Sequence, residues 1–277
     1  MPLTFVSRTS FVYPSGQQSL HANFHADGNG FYFASSGKIF AFNTSGRAIS
    51  ANDITLQNHP GSTTIWGFTK TTAGQWATLT RDSLTGVIGT IRLFSETGTA
   101  IHTARVPDAV TGINTVADAW RAPKALVEVD GNFYVRVVRN VSGNMRWVKF
   151  DNNLQVQSDD LVINNVNPTA LSDAASGGYR FIFIVQQNEN KVYAIEAINA
   201  TIISSLETNL DSRNTGGRAA SVYDGDLYIA DTGGYIYRYS GVPIRPEAST
   251  GRGGGISILS MMHLNAMLGR DFRRRRL

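Results

Sequence analysis

Two stretches decide how this chain folds. One is Asp224-Gly225-Asp226-Leu227-Tyr228-Ile229-Ala230 followed by Gly234-Tyr235-Ile236-Tyr237-Arg238-Tyr239. The other is Asp130-Gly131-Asn132-Phe133-Tyr134-Val135 followed by Gly143-Asn144-Met145-Arg146-Trp147-Val148-Lys149-Phe150-Asp151. Each has an Asp-Gly pair, a strand-length run rich in aromatic and β-branched residues, a second Gly turn and another such run. Asp-Gly supplies the positive φ that a tight hairpin requires, and the flanking runs have the composition of half-buried strands.

The same plan recurs along the chain. It is seen at Asp27-Gly28-Asn29-Gly30-Phe31-Tyr32-Phe33 with Gly37-Lys38-Ile39-Phe40-Ala41-Phe42. It recurs more loosely at Gly74-Gln75-Trp76-Ala77-Thr78-Leu79 with Gly89-Thr90-Ile91-Arg92-Leu93-Phe94, and at Gly178-Tyr179-Arg180-Phe181-Ile182-Phe183 with Lys191-Val192-Tyr193-Ala194-Ile195. Measured from Gly30, Gly74, Gly131, Gly178 and Gly225, the steps are 44, 57, 47 and 47 residues. A further apolar segment precedes each hairpin, as in Ile65-Trp66-Gly67-Phe68. A fourth candidate follows, as in Arg47-Ala48-Ile49 or Thr99-Ala100-Ile101.

Four antiparallel strands repeated every 45 residues or so is the pattern of a propeller blade. The expectation is an all-β, five-bladed β-propeller over residues 1–240. A sixth blade starting at Phe11-Val12-Tyr13 and a β-sandwich are the alternatives. The last repeat lacks a fourth strand, and Thr4-Phe5-Val6-Ser7 is expected to supply it and close the ring, hiding a sheet edge.

Composition agrees. Apolar residues make up 42% of the 277 residues, enough for a core, and charged residues only 17%. There is no Cys, which excludes disulfides and thiolate metal sites. No basic start with an apolar run marks a secretory signal, and no apolar stretch is long enough to span a bilayer. The expected location is therefore a virion or the cytoplasm.

Charge is uneven. Residues 1–240 carry 18 Lys plus Arg against 19 Asp plus Glu, whereas residues 241–277 carry 7 Arg and 2 acids. A neutral body is a poor nucleic-acid groove, since phosphate binding needs clustered cations.

From Gly241 the pattern changes. Gly251-Arg252-Gly253-Gly254-Gly255 reads as a linker, and Ile256–Leu268 as a short apolar helix ending at Gly269. A helix apolar on most of its circumference needs a partner surface. Ile258, Leu259, Met261, Met262, Leu264, Met267, Leu268 and Phe272, followed by Arg273, Arg274, Arg275 and Arg276, are the expected docking residues for a neighbouring subunit. Folding back on the body is the other reading.

Catalytic motifs are absent: there is no His-Glu-x-x-His, no Gly-x-Ser-x-Gly, no phosphate loop and no Asp-x-Asp-x-Asp-Gly calcium loop. His21 and His25 share a strand face near Asp27, a spacing more ordinary than metal-binding. Asp27, Asp130 and Asp224 read as turn residues, and Asp173 as a weak candidate. Glu128, inside an apolar strand, is the one carboxylate worth testing for glycoside hydrolysis. Trp66, Trp76 and Trp147 read as core. Trp120 with Arg121 is the candidate exposed ligand-binding pair, for a glycan.

The segments Asp130–Asp151 and Asp224–Tyr239 resemble the general propeller repeat family, over residues 20–240. The quinoprotein Ala-x-Asp-x-x-Thr-Gly pattern occurs once and imperfectly, at Ile229-Ala230-Asp231-Thr232-Gly233-Gly234. The Trp-Asp dipeptide of WD40 repeats is missing, so the resemblance implies no quinone or other cofactor. The Thr-, Asn- and Gly-rich body without Cys is similar in composition to phage and viral structural proteins. The function expected is a non-enzymatic interaction module of a larger assembly, such as a phage tail or virion surface component. It would have a docking tail and a propeller face for a receptor or glycan. A free-standing sugar-binding propeller and a glycosidase are the alternatives.

Overall fold

The computed structural model describes residues 3–12, 24–60, 65–81, 89–106, 125–138, 145–163, 175–178, 180–186, 191–197, 201–207, 217–231 and 233–242. The chain divides between Ile244 and Arg245. All strands described lie in the first part; Arg245–Leu277, with the expected helix and every expected docking residue, lies outside the described residues.

Strand β1 (Thr4–Ser10) begins the chain. The first sheet is β2 (Phe24–Asp27), β3 (Gly30–Ser35), β4 (Lys38–Phe42) and β5 (Ile54–Thr55). The second is β6 (Ile65–Lys70), β7 (Trp76–Arg81), β8 (Gly89–Phe94) and β9 (Ala100–Arg105). The third is β10 (Ala125–Val129), β11 (Asn132–Val138), β12 (Met145–Phe150) and β13 (Val156–Ile163). The fourth is β14 (Ala175–Gly178), β15 (Phe181–Gln186), β16 (Lys191–Glu196) and β17 (Thr201–Glu207). The closing sheet holds β18 (Gly217–Tyr223), β19 (Asp226–Asp231) and β20 (Tyr235–Ser240), with β1 added beside β20. Each sheet has four antiparallel strands in simple sequential order, except where β1 completes the last.

The innermost strands β2, β6, β10, β14 and β18 each neighbour the next around a ring. They come close because their facing residues are small. A Cβ on Gly177 would overlap the Glu128 carbonyl oxygen, and one on Gly67 would press into the Leu126 backbone nitrogen and side chain. The arrangement is propeller-like and all-β; a three-residue 3-10 turn, Ser50–Asn52, is the only helical element among the described residues.

Every pair of neighbouring sheets shares a core. Ile39, Leu56, Phe68, Trp76 and Phe94 join the first to the second sheet. Leu79, Leu93, Phe133 and Phe150 join the second to the third, and Val127, Tyr134, Trp147 and Ile182 the third to the fourth. Phe183, Leu227, Tyr237 and Tyr239 join the fourth to the closing sheet, and Phe11, Phe24, Phe33 and Ile236 join that sheet to the first. Period-two alternation in the middle strands puts one set of side chains on each side, so one strand feeds two cores.

Asp130-Gly131 and Asp224-Gly225 form two-residue turns with φ of 50° and 78°, and 46° and 77°, the geometry that matches the right-handed strand twist. One strand differs from expectation. Arg47-Ala48-Ile49 makes only an isolated bridge, Ala48 to Phe42, and the fourth strand of the first sheet is the short β5 further on. The cause is local. The Asn43 side-chain oxygen accepts the N–H groups of Ser45 and Arg47, and the Asp53 carboxylate accepts the Ala41 N–H at 3.1 Å. Side chains thus take over part of the β4 edge. Phe11 belongs to the closing seam: its ring is buried and stacks on Phe33 at 4.8 Å.

Candidate functional site

The two ends of the ring are built differently. At one end lie short hairpins, among them Gly28–Asn29, Thr71–Gln75, Ser95–Thr99, Asp130–Gly131, Asp151–Gln155 and Asp224–Gly225. The other end receives all five sheet-to-sheet connections, including residues 106–124 between β9 and β10 and 164–174 between β13 and β14. Connections of that length on a rigid frame are where binding residues concentrate. Trp120 and Arg121 fall in the first of these and lie outside the described residues, as do His21 and Asp173.

At the short-turn end, a polar cluster sits between the first and second sheets. β2 alternates so that Phe24 and Ala26 are buried in the core while His25 and Asp27 share the opposite side. His25 meets Trp76 edge-on at 5.8 Å and Tyr32 at 6.2 Å, and Phe68 stacks on Trp76 at 5.3 Å. Lys70, at the end of β6, lies 4.9 Å over the Trp76 ring. Its ammonium also reaches Asp27 at 3.5 Å and Glu96 at 3.2 Å. The Trp76 indole N–H donates to the Glu96 carbonyl at 3.0 Å. Burial lowers the His25 imidazole to about 4, opposed by the Asp27 charge and assisted by Lys70. Burial first, then Asp27, pushes the Tyr32 hydroxyl up.

At ordinary pH this cluster therefore holds a neutral imidazole beside a clamped ammonium. Its carboxylates are engaged: Asp27 also accepts the Asn29 N–H at 2.8 Å and the Gly30 N–H at 3.3 Å. Among the described residues, no three His, Asp or Glu side chains are grouped to hold a metal ion. An open cleft of about 570 Å³ adjoins it, lined by Asn52, Asp53, Thr55, Gln57, Glu96 and Thr97.

Glu128 is buried on β10, but its carboxylate is a turn cap. It accepts the Gly131 N–H at 2.6 Å and faces the Thr72 hydroxyl at 3.4 Å. Burial pushes its carboxyl up, and those bonds pull it back. Trp76 and Trp147 are buried core residues and Trp66 is half-buried.

Sequence reasoning does not find the second polar centre, at the closing seam. Asp231 is buried, accepts the Tyr235 N–H at 2.9 Å, and accepts the Tyr237 hydroxyl at 3.1 Å. Burial, then the Asp231 charge, raises Tyr237 to about 12. The imperfect Asp231-Thr232-Gly233-Gly234 pattern was the available signal: the Asp ends one strand and caps the turn into the next.

No family model and no curated protein matches the sequence. Solved structures to which this chain shows some similarity include a glutaminyl cyclase from Myxococcus xanthus, at 8% identity and a TM-score of 0.49, covering 86% of this chain and 97% of that one. A protein of unknown function from Bacteroides caccae has 12% identity and a TM-score of 0.48, with 76% and 70% covered. Virginiamycin B lyase from Staphylococcus aureus has 13% identity and a TM-score of 0.44, with 78% and 79% covered.

Proposed function

We propose that this protein is a non-enzymatic protein-interaction module of a larger assembly. In this reading the ring is a rigid head whose long-connection end, including Trp120 and Arg121, meets a receptor, glycan or neighbouring subunit. The tail, through Ile258, Leu259, Met261, Met262, Leu264, Met267, Leu268, Phe272 and Arg273–Arg276, docks on another subunit. The observation that carries the reading is the contrast between the two ends. The carboxylates of the short-turn end are tied to backbone N–H groups and to Lys70, while the long connections all emerge at the other. The Cys-free, Thr- and Asn-rich body and the apolar tail sequence support a virion component in particular.

The test is light-scattering mass of the full chain against the variant Leu264→Asp/Leu268→Asp, with circular dichroism on both. The reading expects an assembly for the parent, and a single-chain mass with an unchanged β spectrum for the variant. A single-chain mass for both removes the docking tail. The Trp120→Ala variant is then compared with its parent on a glycan array, where loss of a signal favours sugar recognition by the head.

A further inference from the structure

The cleft of about 570 Å³ between the first two sheets is built from two walls. Asn52, Asp53, Thr55 and Gln57 line it from the side of the first sheet, and Glu96 and Thr97 from the β8–β9 turn of the second. Its volume falls in the range of small-molecule sites, about 300–1,000 Å³.

The walls are fixed to each other through the main chain. The Gln57 N–H donates to the Gly98 carbonyl at 2.9 Å. Gly98 has a φ of +86°, and a Cβ there would overlap the Thr55 carbonyl oxygen. Backbone therefore meets backbone beside the cleft, while β5 pairs with β4 on its other side. That covers the β5 edge at Thr55, so an added peptide strand has no open ladder to join there. What the cleft presents to a ligand is side chains on walls already in place, which spares the cost of ordering them on binding.

The charge in the lining is already balanced. The Lys38 ammonium lies 2.9 Å from the Asp53 carboxylate, which also accepts the Ala41 N–H at 3.1 Å. The Lys70 ammonium lies 3.2 Å from the Glu96 carboxylate, and the Glu96 carbonyl accepts the Trp76 indole N–H at 3.0 Å. Two carboxylates are matched by two ammonium groups, so the site has no net charge to select a cation or an anion. The other polar groups are neutral. Asn52 and Gln57 are exposed, and among the described residues neither carboxamide is hydrogen-bonded within the protein. Each has two N–H donors and an acceptor oxygen, and the carboxylates beside them are acceptors. Such a lining matches a ligand whose groups both donate and accept, as each hydroxyl does. We propose that this cleft binds a neutral saccharide, whose hydroxyls donate to Asp53 and Glu96 and exchange hydrogen bonds with the Asn52 and Gln57 carboxamides. The site uses neither Trp120 and Arg121 nor the tail, so it stands apart from the interaction surfaces of the preceding section.

The full chain tests this on immobilised neutral gluco- and galacto-oligosaccharides, with sialylated and uronate-bearing oligosaccharides alongside. Neutral oligosaccharides should be retained, and equally so at about 0.1 and about 0.5 M NaCl, because an uncharged ligand leaves nothing to screen. Asn52→Ala/Gln57→Ala should weaken retention about tenfold, the effect of losing two hydrogen bonds. Its melting temperature should match the parent's, since neither side chain is bonded within the protein. Trp120→Ala should leave this retention intact. No retention of any neutral oligosaccharide overturns the inference, and so does retention of the acidic oligosaccharides alone that salt abolishes. Retention of neutral oligosaccharides that Trp120→Ala removes and Asn52→Ala/Gln57→Ala leaves unchanged also overturns it, and places sugar recognition at the long-connection end instead.

Discussion

His25 and Asp231 are the residues whose environments have measurable consequences. His25 is a base whose pKa falls from the ordinary 6.5 to about 4 on folding. Between those values the unfolded chain binds more protons than the folded one, so stability rises with pH across that window. Its contribution is complete above about pH 6.5 and lost as the pH falls towards 4, amounting to about 3 kcal/mol at most. Glu128 acts in the opposite direction, because burial raises its carboxyl and an ionised form is disfavoured once folded. The melting temperature should therefore drop from pH 6.5 to 4.5 in the parent and drop less in His25→Gln; equal slopes would mean that the imidazole is solvated. Asp231→Ala removes the acceptor of the buried Tyr237 hydroxyl and of the Tyr235 N–H, and should cost about 2–4 kcal/mol in urea unfolding. A cost below about 1 kcal/mol would mean that water replaces the carboxylate. Asp231 was legible only as part of an imperfect motif. His25 was legible as a strand residue, but its aromatic neighbours Tyr32 and Trp76 come from two other strands, and pairings of that kind leave no local trace.

The strands themselves were legible where local chemistry agreed with the fold. Asp130-Gly131 and Asp224-Gly225 announce their turns through the φ values they adopt, and Tyr235–Ser240 alternates so that Tyr237 and Tyr239 enter one core and Ile236 the other. The fourth strand of the first sheet was not, because Asn43 and Asp53 replace ladder bonds with side-chain bonds, a competition that composition alone does not reveal. The inner strands make a sharper prediction. Gly177 and Gly67 are required by the neighbouring backbone rather than by φ. Gly177→Ala must push β14 away from β10, and Gly67→Ala must push β6 away from it. Gly74 has φ +80 and open space around it, so Gly74→Ala meets only backbone strain of about 1–2 kcal/mol. Thermal unfolding should therefore rank Gly177→Ala and Gly67→Ala well below Gly74→Ala. Equal losses at the three positions would imply that the inner strands separate without cost.

At the scale of the molecule, five cores in a closed ring predict that damage at one seam is felt at all. Each sheet is shared between two cores, so opening the closing seam removes one side of the support from both the first and the fourth sheets. Among the described residues the seam's two cores hold no tryptophan, whereas Trp76 reports the core between the first two sheets and Trp147 that between the third and fourth. Phe11→Ala empties a buried aromatic site at the seam and should cost about 3–4 kcal/mol. If the ring unfolds as one unit, the tryptophan fluorescence and far-ultraviolet circular dichroism transitions in urea stay coincident, and both move to lower denaturant by the same amount. If the sheets instead unfold separately, circular dichroism should lose a fraction of its amplitude early while the tryptophan transition stays where it is in the parent. The inter-sheet cores favour the first outcome. Leu79, Leu227 and Ile229 from middle strands are fully buried between sheets, so each sheet loses the cover of one apolar face when a neighbour leaves, and exposing such faces one at a time costs apolar burial that a single sheet does not recover.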